Sequence, residues 1–158
     1  MNRTTKIVAV SASLLLLAMF AEPAAAQTAK SVAGAYTVIK IPAYGDNARG
    51  MLVLTPDGHY SIIAGRTTLP KFAAGARTKG TPEENKAVID GSIAHFGKYT
   101  IDDGGKSITF TPVMSTFPNW DGAAQKRALK VAGDTLTYTV TAPSAGGPPN
   151  DVVWKRMK

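Results

Sequence analysis

The sequence predicts an all-β domain, and three observations carry that expectation. Beyond residue 26 the chain falls into short segments rich in β-branched and aromatic residues, separated at close spacing by Gly, Pro, Asp and Asn. Several of these segments alternate apolar and polar side chains with period two, as half-buried strands do. One capped helix interrupts them, and no strand–helix–strand alternation occurs. Regular short strands of this kind build a barrel or a sandwich.

The first 26 residues stand apart. Met1 to Phe20 carries Arg3 and Lys6, then the apolar run Ile7 to Phe20, and Ala24-Ala25-Ala26 precedes Gln27. Early cations, a short greasy core and a small-residue junction read as a secretory signal peptide. The apolar run is shorter than the roughly 20 residues a spanning helix needs, so no transmembrane segment is expected in the mature chain. Cleavage after Ala26 leaves residues 27–158 as one domain, and the formal charge of +7 drops by one.

Ser31–Ile41 reads as the first strand, stopped by Pro42, which cannot donate to a ladder. Gly50–Thr55 and His59–Ala64 follow, joined by Pro56-Asp57-Gly58, a turn in which proline presets φ and glycine accepts a positive one. Arg66–Gly80 shows no alternation and reads as a loop. Thr81-Pro82-Glu83-Glu84 announces a helix, with Thr81 as N-cap, Pro82 in the first turn and Glu84 closing a capping box. Ile89, Ile93 and Phe96 continue at i, i+4, i+7 as one apolar stripe, weakened by Gly91 and with an end expected near Ser92. The strands then resume at His95–Ile101, Ser107–Ser115, Gln125–Ala132, Thr135–Ala142 and Val152–Met157, which makes eight strands around one short helix between the third and fourth. Asp102-Asp103-Gly104-Gly105 and Gly133-Asp134 mark hairpin turns.

Alternation assigns faces. Leu136, Tyr138 and Val140 alternate with threonines, Gly97, Tyr99 and Ile101 share a face, and so do Val152, Trp154 and Arg156. On the sixth strand Lys126, Ala128 and Lys130 face one way, and Arg127, Leu129 and Val131 the other. The second set is the apolar one, so Arg127 is expected to point inward.

Composition bounds the chemistry. The chain contains no cysteine, which excludes a disulfide framework, thiolate catalysis and a lipidated cysteine at the cleavage site. A chain of this size can hold itself together with an ordinary core. The cations are scattered rather than gathered into a stripe, and with an export signal they argue against nucleic acid as a partner. Gly75-Ala76-Arg77-Thr78-Lys79-Gly80 has Thr81-Pro82 where a phosphate loop needs Lys-Ser/Thr, and fails. No G-x-S-x-G elbow occurs, and His59 and His95 are the only histidines, with no carboxylate at a ligating distance in sequence; no metal, cofactor or catalytic residue is assigned. Asp102 and Asp103 are read as turn formers. Pro118-Asn119-Trp120-Asp121-Gly122 is a polar loop holding a tryptophan, which is assigned to barrel-end closure in preference to contact at a cavity mouth.

The motifs, taken in order, resemble the bacterial lipocalin-like domain family, a branch of the calycin-type β-barrels. The matching pieces are Gly34-Ala35-Tyr36, Arg49-Gly50-Met51-Leu52, Thr55-Pro56-Asp57-Gly58 and Thr81-Pro82-Glu83-Glu84, then Gly97-Lys98-Tyr99-Thr100-Ile101-Asp102, Pro118-Asn119-Trp120-Asp121-Gly122, Gly133-Asp134-Thr135-Leu136 and Trp154-Lys155-Arg156. They run through nearly all of residues 27–158. The resemblance implies an eight-stranded up-and-down antiparallel barrel with a central cavity. It also implies a structural closure at one barrel end, where calycins carry G-x-W under a cation from near the chain end. Gly34, Tyr36 and Arg156 hold those positions here, with Trp120 and Trp154 as further barrel-end residues.

Three functions fit the sequence. One is a non-catalytic, periplasmic or secreted carrier whose partner is a small apolar ligand, in one version bearing an acidic group that meets Arg127. Its cavity candidates are His95, Tyr99, Ile101, Arg127, Leu129, Leu136, Tyr138 and Val140. The second is a cyclase or isomerase working on a hydrophobic substrate in the same cavity, with His95 beside another polar lining group. The third is a structural barrel whose interior is full. Oligomeric state is not legible in the sequence.

Overall fold

In the computed structural model, which describes residues 26–102 and 104–158, the first element is one turn of helix, α1 (Ala29–Val32). Ser31 was expected in a strand. Instead the Thr28 hydroxyl accepts from the Ser31 N–H and the Ser31 hydroxyl accepts from the Thr28 N–H, at 3.2 and 2.9 Å. That reciprocal cap satisfies two donors a helix end leaves open and tips the local balance away from extended backbone. Val32 is driven fully into the barrel end. Residues 1–25, most of the expected signal peptide, and Asp103, expected in a turn, lie outside the described residues.

Eight strands follow: β1 (Gly34–Lys40), β2 (Arg49–Leu54), β3 (His59–Gly65), then α2 (Pro82–Gly91), β4 (Ser92–Ile101), β5 (Ser107–Ser115), β6 (Gln125–Ala132), β7 (Thr135–Val140) and β8 (Asn150–Arg156). Each pairs antiparallel with its neighbours in sequence, and β1 pairs with β8, so the sheet closes on itself as a barrel. This is the eight-stranded up-and-down barrel that the sequence resemblance implies. The helix sits where expected, with Thr81 accepting from the Glu84 N–H and Glu84 from the Thr81 N–H.

The apolar stripe on that helix does not form. The helix ends at Gly91, Ser92 turns extended, and Ile93 and Phe96 belong to β4. Three apart in a strand, they face opposite sides of the sheet. Ile89 and Phe96 are exposed at 66% and 47%, whereas Ile93 reaches the barrel interior. The period of 3.6 was read across a boundary where the true period changes to two.

The core fills the middle of the barrel. Leu52, Tyr60, Ile108, Phe110, Leu136 and Trp154 are all buried there. On β6, Arg127 and Leu129 are buried while Lys126, Ala128 and Lys130 are exposed, as the alternation required. One close approach is set by Gly97, beside a register shift that pairs Phe96 with Met114 but Gly97 with Pro112. A Cβ at Gly97 would run into the Thr111 carbonyl, with Val113 N and Pro112 Cα within 2.9 Å, and all of these are backbone atoms that no rotamer change can move aside. Gly97→Ala is therefore expected to cost about 1–3 kcal/mol, seen as a lower melting temperature by circular dichroism; a melting temperature equal to wild type would contradict this account of the bulge.

The two barrel ends differ. One carries α1, the β2–β3 and β4–β5 turns and the chain after β8. The other carries the 3-10 turns Pro42–Tyr44 and Pro118–Trp120, the 66–80 loop and the 141–149 loop. Among the described residues no helix is long and apolar enough to cross a membrane.

Candidate functional site

At the α1 end the chain is sealed. Gly34 and Tyr36 open β1, and Arg156 closes β8 directly opposite Tyr36. The Arg156 guanidinium lies 4.8 Å from the Tyr36 ring centroid. It donates to the Ala33 carbonyl and, at 3.0 Å, to the Ser31 carbonyl. Gly34 leaves the space the guanidinium needs, since a Cβ there would overlap Nη1. The Tyr36 hydroxyl donates to the Val32 carbonyl at 2.6 Å. Tyr99 completes the seal, donating to the Thr55 carbonyl at 2.7 Å, and burial raises its phenol to about 12.

The opposite end holds an internal cavity of ≈ 80 Å³. Ile62 and Ala64 from β3, Ile93 and His95 from β4, and Val152 and Trp154 from β8 form much of its wall. Arg127, Tyr138 and Val140 also line it, with residues of the 141–149 loop, and Tyr44 and Trp120 stand at the mouth on the two 3-10 turns. Of the residues assigned to the cavity from sequence, His95, Arg127, Tyr138 and Val140 are brought together here. Leu129 and Leu136 face inward but pack into the core below. Tyr99 and Ile101 face the sealed end, along an outer groove with Gln27 and Ala29. Trp120 and Trp154, assigned from sequence to barrel-end closure, both line the cavity.

The polar groups of this wall are unusually one-sided. Arg127 is 7% exposed and has no carboxylate partner among the described residues. Its Nη2 donates to the Gln125 side-chain oxygen at 2.5 Å, and its guanidinium lies 4.9 Å from the Tyr138 ring and 5.4 Å from Phe110. Two aromatic faces and one amide are a partial substitute for a counter-charge. Burial raises the Tyr138 phenol, with Arg127 and Trp154 pulling the other way.

His95 shares a hydrogen bond of 2.9 Å with the Tyr60 hydroxyl through Nδ1 and stacks edge-on against Trp120 at 5.3 Å. Burial, reinforced by the nearby Arg127 charge, lowers its pKa to about 4, so the imidazole is neutral at pH 7. Burial likewise pushes the Tyr60 phenol well above its ordinary range. The other histidine, His59, is exposed at the start of β3, 3.2 Å from the Asp57 carboxylate. Asp102 accepts from the Lys106 N–H and the Ser107 hydroxyl, both at 2.8 Å, which is the work of a turn former. No group of three or more His, Cys, Asp or Glu among the described residues could hold a metal ion.

Sequence reasoning missed Tyr60, Ile62 and Ala64, although they alternate along β3 and an inward reading was available. It also missed Tyr44, for which no local signal exists: its place depends on how the β1–β2 loop folds over the mouth.

A family model described as a lipocalin-like domain matches residues 31–157. Among characterised proteins, the 4'-hydroxy-3'-methoxypropiophenone carrier protein of Aspergillus oryzae is similar, at 29% identity over 70 residues. That match covers 40% of this chain and 63% of the relative, just under two thirds of its length.

Proposed function

The chain belongs to the lipocalin-like domain family, and from that premise we propose that it is a non-catalytic carrier of a small, largely apolar ligand held at the open barrel end. The observation that carries this reading is the cavity itself, walled by apolar and aromatic side chains around a few polar groups, the usual make-up of a small-molecule site. Its ≈ 80 Å³ is well short of the roughly 300–1,000 Å³ of ordinary ligand pockets. The ligand is therefore small, or leaves part of itself outside past Tyr44 and Trp120. The similar carrier protein is named for a single-ring aromatic ketone, a size that suits such a mouth.

Both tryptophans of the chain line this cavity, so binding can be read from intrinsic fluorescence. Titration with 4'-hydroxy-3'-methoxypropiophenone is expected to give saturable quenching. Native mass spectrometry of protein purified from its own compartment is expected to show a retained small molecule. No saturable signal and no retained ligand would instead support a filled structural barrel.

The carrier is exported to a periplasm or secreted. The charge, apolar run and Ala-Gln junction of the first 27 residues support this, and the Gln27 backbone packs against Gly105 in the β4–β5 hairpin. N-terminal sequencing of the mature protein is expected to begin at Gln27, within a residue or two; recovery of the full-length chain from cytoplasm would contradict export.

The Tyr60–His95 contact favours a second reading, an isomerase or cyclase that moves a proton on a carbonyl compound. His95 is a weak base at a pKa of about 4, which is why this reading stands second. Exchange of the ketone's α-hydrogens in deuterated buffer, faster than buffer alone and abolished by His95→Gln, would raise it above the carrier.

A further inference from the structure

β6 and β7 pair only from Leu129↔Tyr138 to Ala132↔Thr135, toward the sealed end of the barrel. Nearer the open end, β6 from Gln125 to Ala128 is paired with β5 alone, and a slot of ≈ 310 Å³ opens between Gln125, Lys126 and Arg127 on one side and Val140, Thr141 and Ala142 on the other. The slot and the internal cavity share Trp120, Arg127 and Val140 as a common wall. Arg127 is thus a buried cation reached from two spaces.

Hydrogen-bond supply along this wall is lopsided. Among the described residues the buried side-chain N–H₂ of Gln125, a slot-lining residue, finds no acceptor. On the cavity side the Trp154 indole N–H, fully buried, makes no hydrogen bond of ordinary geometry, although the Tyr138 phenol lies beside it. Among the described residues neither space is lined by an Asp or Glu. Buried donors left without acceptors are costly, and a buried guanidinium without a counter-charge more so. A bound group that supplies acceptors there would lower that cost.

Resting on the carrier reading, we infer that the ligand is a small aromatic or aliphatic acid whose carboxylate sits against Arg127, with the Trp154 N–H as second donor and the apolar remainder toward Tyr44 and Trp120. A carboxylate offers two oxygens with about four lone-pair sites, which matches a donor-rich, acceptor-poor wall. It also neutralises the only buried charge among the described residues of the cavity lining. A neutral alcohol or ester would leave that charge unmet.

Vanillate and methyl vanillate form a matched pair, differing in the charge of one group and one methyl. Each is titrated into the full mature protein at pH 7, followed by tryptophan fluorescence. Vanillate is expected to bind about 10- to 150-fold more tightly, the range of a charged hydrogen bond. In Arg127→Met that preference disappears: vanillate weakens by about the same factor while methyl vanillate changes little. Removing a buried charge that has no carboxylate partner should leave the melting temperature of Arg127→Met equal or higher; if the variant fails to fold, the wild-type comparison of acid and ester decides alone. Equal affinity for the two, or equal weakening of both in Arg127→Met, overturns the acid site while leaving the carrier reading standing. Binding of neither compound overturns the acid site and counts against the carrier reading as well.

Discussion

Arg156→Met is expected to lower the unfolding free energy by about 2–4 kcal/mol, the sum of a cation–π contact and hydrogen bonds from a charged donor. The guanidinium covers the Tyr36 ring at 4.8 Å and donates to the Ala33 and Ser31 carbonyls. It therefore ties β8, β1 and α1 together at the one end where no cavity is wanted. Methionine can still pack on the ring but donates nothing, and two carbonyls lose their partner. The Ser31 contact is solvent-exposed and contributes least. Lysine should rescue poorly, because its single ammonium cannot present a planar fork to a ring and two carbonyls together. Urea denaturation with an unchanged m-value measures the effect. A change under about 0.5 kcal/mol, the range of an ordinary surface substitution, would mean that the seal is held by Tyr36 and Val32 packing alone.

Acid should weaken the fold through His95. In the unfolded chain its imidazole takes up a proton near pH 6.5, and in the folded barrel not until about 4, because burial and then the Arg127 charge oppose the cation. Between those values the unfolded state binds more protons, so stability falls as pH falls. The contribution is fully present above pH 6.5, drains across the window, and is gone by about pH 4. At 1.36 kcal/mol per unit the total loss is about 3 kcal/mol. His95→Gln removes the titrating group and should flatten stability between pH 6.5 and 4. The carboxylates of Asp57, Glu84 and Asp102 are held below their ordinary range by hydrogen bonds and titrate the same way in both proteins, so they cancel in the comparison. Parallel pH profiles of the two proteins would show that His95 is not what acid attacks.

The Tyr60–His95 pair and Arg127 also show where sequence reading stops. Inward placement of Arg127 followed from two apolar neighbours on its face of β6, because strand side chains repeat every two residues whatever the rest of the chain does. The capping box at Thr81, the glycine turns and the order of eight strands were legible for the same reason: each is a local rule with a local signal. The turn of helix at Thr28 was missed because its cap uses Ser31 instead of Glu or Gln, the residues that usually mark the motif.

Height along the barrel carried no such signal. Tyr99 and His95 lie on the same face of β4, four residues apart, yet one closes the sealed end and the other lines the open one. Leu136 and Tyr138 differ in the same way on β7, the first packed into the core and the second reaching the cavity wall. Sequence alone determined the strands, their order and the inward faces of β6 and β7, since these depend on the pleat and on neighbours within a few residues. Only the tertiary structure decided which inward residues meet across the barrel, that β6 and β7 part company beside Arg127, and that Trp154 and Gln125 are left with unmet donors. Those features arise from strands far apart in sequence, whose relative heights are set by closure of the sheet and its register.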